Sequence, residues 1–198
     1  MPTSKFDPNF GSAADAAAAI ASRHVSSVGL TQHTLERIDR FEPLLNVFAY
    51  QLRDEALARA RRVDAAIAAG ENPGPLAGVP VVVKESFAVA GHPCTWGIPA
   101  LNDSRAARDS TVVNRLSDAG AVILGATNVP LNLFDGQTYN EFYGTTNNPW
   151  DLTRTPGGSS GGTASGSSEW APTSEAAYAA PLTVVESSVT SRPWTSLG

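Results

Sequence analysis

The sequence predicts an α/β protein, with N-terminal helices leading into a sheet that carries helices on its faces. Three observations predict it. Arg53 to Ala69 has a helical apolar stripe of Ala56, Leu57, Ala60, Val63 and Ile67, with Gly70 stopping it. Val81-Val82-Val83 and Ala121-Val122-Ile123-Leu124-Gly125 are unbroken apolar runs of the kind buried on both faces of a parallel sheet. Between those runs, Asp109 or Ser110 caps a helical segment through Val112, Val113 and Leu116 to Gly120, giving strand–helix–strand alternation.

The remaining elements follow in order. Residues 1–11 read as an irregular lead-in. Ser12 caps an alanine-rich helix through about Ser22. Thr31 begins a second helix, with Leu35 and Ile38 on one face and Pro43 ending it. Asn46 to Tyr50 is short and rich in strand formers. Gly91 to Gly97 is a turn-rich loop, and Pro130 to Pro149 lacks regular periodicity while interleaving asparagines with aromatics. A long irregular loop inside a compact domain is uncommon unless it builds a site.

Composition narrows the function classes. The 198 residues are 42% apolar and 17% charged, which fits a globular chain able to bury a core. A net charge of −5 gives no basic footprint for nucleic acid. Cys94 is the single cysteine, so no intrachain disulfide forms, and His24, His33 and His92 are too scattered for a metal cluster. Neither a membrane-spanning run nor a signal-peptide pattern is visible, so a soluble cytoplasmic protein without a cofactor is expected.

Two features carry possible chemistry. Lys84 follows the valine run directly, and the only other lysine is Lys5. Such a lysine either snorkels to solvent or is a partly buried amine whose pKa falls with desolvation. The second feature is Thr155-Pro156-Gly157-Gly158-Ser159-Ser160-Gly161-Gly162. It reads either as a flexible linker or as backbone that turns tightly and presents two hydroxyls at a fixed place.

Ordered blocks join these features. Leu76 to Ser86, Gly125 to Pro130, Gly144 to Asp151 and Pro156 to Gly162 together resemble the amidase signature family, over roughly residues 30 to 164. Ala126 departs from the pattern, which often has lysine there. The resemblance implies an α/β/α sandwich with a mixed sheet, truncated and preceded by N-terminal helices. It divides the chain into a helical segment at 1–70, a partial α/β core at 71–164 and a non-family, irregular tail at 165–198. It also implies hydrolysis of carboxylic amide C–N bonds, with a small-molecule amide as partner. Lys84 then matches the general base and Ser159 the bridging serine on a cis peptide bond. Leu133, Gly158 and Ser160 match substrate-binding positions, with Leu133 lining the acyl pocket. A glutamine amidotransferase A-type subunit is the alternative within the family. A non-catalytic phosphate-binding or scaffold fragment is the alternative outside it, weakened because no Gly-Lys-Ser/Thr follows the glycines.

The family's nucleophilic serine is missing. After Ala164 no Gly-Gly-Ser occurs. Reading codons from the third base of one residue and the first two of the next, Trp170-Ala171 forces glycine and Trp194-Thr195 forces aspartate. In that register Gly166 to Ala177 permits VVGVGSDIGGS, the family's missing segment at its own spacing. The expectation is a frameshift near Ser165, accompanied by loss of several residues of the small-residue helix, with the nucleophile's codon straddling Ala176 and Ala177; a divergent member or a chain with a different ending is the alternative. A chain of this kind is expected to be inactive, with a cut sheet, exposed strand edges and poor solubility.

Overall fold

The computed structural model describes residues 6–9 and 11–167 together with the backbone of Thr183–Val185. Helix α1 (Ala13–Ala21) begins at Ser12, whose side chain accepts from the Asp15 backbone N–H while the Asp15 carboxylate accepts from Ser12 N–H, a reciprocal capping box. Helix α2 (Ser27–Leu45) leads to strand β1 (Phe48–Gln51), helix α3 (Arg53–Ala68) and strand β2 (Pro80–Lys84). Helix α4 (Thr111–Asp118), capped by Ser110, is followed by strand β3 (Val122–Thr127). The short strands β4 (Tyr139–Asn140) and β5 (Gly144–Thr145), helix α5 (Gly161–Gly166) and strand β6 (Thr183–Val185) complete the order.

Helix α2 differs from the sequence expectation at both ends. It starts four residues before Thr31, because the Asp64 carboxylate on α3 accepts from the backbone N–H of Ser27 at 2.7 Å and Val28 at 3.0 Å. Ser26 is the local N-cap, its Oγ accepting from Gly29 N–H at 2.9 Å, a serine signal that the sequence reading passed over. Pro43 stays inside the last turn, and the helix closes at Asn46, in the left-handed region at φ 51°. The Glu42 carboxylate then takes the N–H groups of Val47 and Phe48, each at 3.0 Å, and aims the chain into β1.

The main sheet runs β1-β3-β2-β6, with β1 antiparallel to β3 and both β3 and β6 parallel to β2. It is a mixed sheet, as expected. The valine run of β2 alternates between two cores. Val82 joins Val122, Leu124 and the α2–α3 residues Leu35, Ile38, Phe41, Leu45, Ala56 and Ala60 on one face. Val81 and Val83 join Val113 and Leu116 of α4 and Ala16 and Ile20 of α1 on the other. Full burial of one such side chain stabilises the fold by about 1.5–3 kcal/mol, so the continuous run is what a central strand requires.

Two expectations for the tail are corrected within the described residues. Thr183–Val185 is strand rather than irregular chain, and its backbone pairs with Val81–Val83. On the side away from β3, β2 is therefore paired with β6. Gly166, placed at the start of the tail, closes α5. Residues 168–182 and 186–198, including Ala176 and Ala177, lie outside the described residues. No helix among the described residues is long and apolar enough to cross a membrane.

Candidate active site

The parallel strands β2 and β3 end side by side, with Lys84 in register with Thr127. Sites in open α/β sheets collect at such carboxyl ends. Here the Gly/Ser stretch turns back onto the strands, and Lys84 Nζ lies 2.7 Å from Ser159 Oγ. The linker reading of that stretch is excluded by its contacts.

The Ser159 loop is held from both sides by one hydroxyl. Thr138 Oγ1, on the buried residue before β4, donates to the Gly157 carbonyl at 2.9 Å and accepts from Gly161 N–H at 3.0 Å. Between those anchors the Gly158–Ser159 peptide bond is cis. A Cβ on Gly158 would strike the carbonyl oxygens of Asp135 and Gln137, so glycine is required for the loop to lie against the 131–137 turn.

Helix α5 is seated just as closely. Thr163 Oγ1 meets Thr127 Oγ1 at 2.7 Å, tying the helix to the end of β3. A Cβ on Gly162 would come within 2.6 Å of Asn128 N and 2.7 Å of Val47 O, so backbone approaches backbone there. Asn128, fully buried, donates to the Gly144 carbonyl and Thr146 Oγ1, each at 3.1 Å, and accepts from Asn140 Nδ2 at 2.9 Å. Asn140 Oδ1 in turn takes Tyr143 N–H at 2.7 Å. The irregular loop is thus a side-chain-built scaffold around the site.

Glu85, next to Lys84, is fully buried. Its carboxyl accepts from Thr95 N–H at 2.5 Å, Thr95 Oγ1 at 2.8 Å, Trp96 N–H at 2.9 Å and Tyr143 OH at 3.3 Å. Burial raises its pKa above the ordinary carboxyl value, and the four hydrogen bonds pull the other way. Burial also pushes the Tyr143 phenol up to about 12, so it remains a donor at neutral pH. These contacts fasten the 91–97 loop and the 140–146 loop to the end of β2 beside Lys84.

Of the residues named from sequence, Lys84 and Ser159 meet, and Gly158 and Ser160 flank Ser159 in the loop. Leu133 ends a short 3-10 turn, half-buried at φ 57°, and no described interaction joins it to Lys84 or Ser159. Beside it a cavity of about 300 Å³ is walled by Leu131, Asn132, Phe134, Asp135 and Tyr139. Sequence reasoning missed Thr138 and the anchoring role of Glu85. An acidic residue directly after a buried strand was a usable signal for Glu85, whereas nothing local distinguishes Thr138 from a surface threonine. Among the described residues no group of three metal-ligating side chains occurs.

A lysine amine on a serine hydroxyl can relay a proton but needs a second nucleophile to complete an acyl-transfer triad. The described residues bring such an amine and hydroxyl together.

Comparison with known proteins gives the chain's relatives. The family model described as Amidase matches residues 29–166. The A-type subunit of the glutamyl-tRNA(Gln) amidotransferase of Acidothermus cellulolyticus is 45% identical over 172 residues, 87% of this chain and 32% of that protein. Its counterpart in Thermobifida fusca is 45% identical over 171 residues, 86% of this chain and 33% of that protein. A bacterial aryl acylamidase structure superposes with a TM-score of 0.76 at 38% identity, covering 80% of this chain and 33% of that one. A peptide amidase gives 0.73 at 32% identity, covering 79% and 34%. The chain spans about a third of the length of these relatives.

Proposed function

The chain belongs to the amidase family, and on that premise we propose that it carries the proton-relay half of a hydrolase of carboxylic amide C–N bonds. The observation that carries this reading is the 2.7 Å contact between Lys84 Nζ and Ser159 Oγ at the carboxyl end of β2. In the complete reaction Lys84 accepts a proton through Ser159 from a nucleophilic serine, then returns it to the departing amine. The nucleophile is encoded across Ala176 and Ala177 in the shifted frame, so the chain as it stands does not turn over amides. The substrate is a small carboxamide, with Leu133, Gly158 and Ser160 at its binding positions, and the reaction uses no cofactor. A cytoplasmic location goes with this reading, supported by the use of a single cysteine.

A second reading has its own support. The 45% identity to the A-type subunits of glutamyl-tRNA(Gln) amidotransferases favours a glutaminase-type subunit, with glutamine as the amide.

The test is amide turnover by two proteins: the chain as it stands, and the product of a coding sequence in which the one-base shift after Ala164 is reversed. Ammonia release from aliphatic and aryl amides by the second protein alone is the expected result. Release confined to glutamine selects the glutaminase reading. Turnover by the unaltered chain, or failure of a folded restored protein on every amide, contradicts the proposal.

A further inference from the structure

The Lys84–Ser159 pair supports a reaction that does not require the missing nucleophile. We propose that Ser159 is itself an acyl acceptor in this chain, taking the acyl group of an activated aryl ester with Lys84 as its base. The inference rests on the assignment of the pair as a proton relay, but it needs neither a restored frame nor amide hydrolysis.

Three observations carry it. Ser159 Oγ lies 2.7 Å from the Lys84 amine, the arrangement shared by base-activated serine nucleophiles. Both residues are partly open to solvent rather than sealed in the core. The hydroxyl is also held in place, since Thr138 fixes the backbone on each side of it. Several neighbouring hydroxyls and the described thiol compete less well. Thr163 is bonded to Thr127, Ser165 Oγ donates to Asn147 O at 2.8 Å, and Ser167 Oγ donates to Thr163 O at 2.7 Å. Burial raises the Cys94 thiol pKa, which lowers its thiolate fraction.

The chemistry selects the substrate class. Ser159 Oγ bonds to the ester carbonyl carbon as its proton passes to the deprotonated form of Lys84. The bond from carbonyl carbon to aryl oxygen then breaks, and the oxygen leaves as a phenolate that needs no proton. The Lys84 ammonium returns its proton to bulk water, leaving an acyl ester on Ser159. Hydrolysis follows when water attacks that ester and Lys84 accepts its proton. An amide makes a harder demand, because its carbonyl is less electrophilic and its leaving nitrogen must be protonated before the bond breaks. The expected activity is therefore confined to aryl esters, with acylation faster than deacylation.

The experiment treats the purified chain with p-nitrophenyl acetate, following p-nitrophenolate release and locating the acetyl group by peptide mass spectrometry. The expected result is a burst of about one equivalent per chain, with the acetyl group on Ser159. Ser159→Ala loses the burst. Lys84→Arg slows it by about a hundredfold or more, because a guanidinium still donates to Ser159 but does not give up its proton. Circular dichroism and thermal melts of both variants establish that they remain folded. Acetylation of Lys84 or of other side chains with Ser159 unmodified overturns the inference, as does a burst unchanged in folded Lys84→Arg. Amide turnover by the frame-restored protein without acylation of the present chain overturns this inference alone.

Discussion

Lys84 and Ser159 are 75 residues apart in the chain, and their side chains meet at 2.7 Å. The contact joins the end of a buried strand to a glycine-rich loop. Its geometry depends on everything that prevents the loop from drifting, so the supporting residues are where the arrangement is most easily tested.

Thr138 is the first of these. Thr138→Val keeps the shape but removes the donor to Gly157 O and the acceptor for Gly161 N–H. Two polar groups then lose their partner, at a cost of about 2–4 kcal/mol. Thr138→Ser retains the hydroxyl and costs about 1 kcal/mol through its lost methyl. Urea unfolding of the three proteins gives the comparison.

Glu85 gives stability a definite pH dependence. Its folded pKa is raised above the ordinary 4.5, so the folded chain binds more protons than the unfolded chain as that range is crossed. The contribution is fully present below the ordinary value and is lost as pH rises through the raised one. The wild type therefore loses stability relative to Glu85→Gln on going from acid towards neutral pH. Urea midpoints of the two proteins at a series of pH values check the sign.

Gly162 tests the seating of α5. Gly162→Ala puts a methyl against the backbone of Asn128 and Val47, which cannot rotate away, and costs about 1–3 kcal/mol. Helix propensity alone predicts the opposite sign, a gain of about 1 kcal/mol. A thermal melt of the variant decides between them.

Much of this arrangement was legible in the sequence because it is written in local signals. The β-branched run of β2, the Ser12 and Ser110 caps and the Gly/Ser loop each carry their own chemistry. Lys84 and Ser159 could be paired because the ordered blocks resemble a family in which those positions act together. Contacts made only in three dimensions stayed hidden. Asp64 of α3 holds the first turn of α2 through the Ser27 and Val28 N–H groups, a contact between helices that no local pattern shows. Thr138 looks like an ordinary loop residue until the chain folds back on it. The strand at Thr183–Val185 was hidden by its surroundings, since three β-formers without periodic flanks do not identify an element.

The most direct test of the central claim, that Lys84 and Ser159 form one proton relay, is a double-mutant cycle on amide turnover in the frame-restored protein. Lys84→Ala, Ser159→Ala and the double variant are compared by kcat/KM. A shared relay predicts that each single change costs about a hundredfold or more and that the double costs little beyond the worse single, as residues acting as a unit do. Additive losses in folded variants, or a single variant retaining full activity, would contradict it.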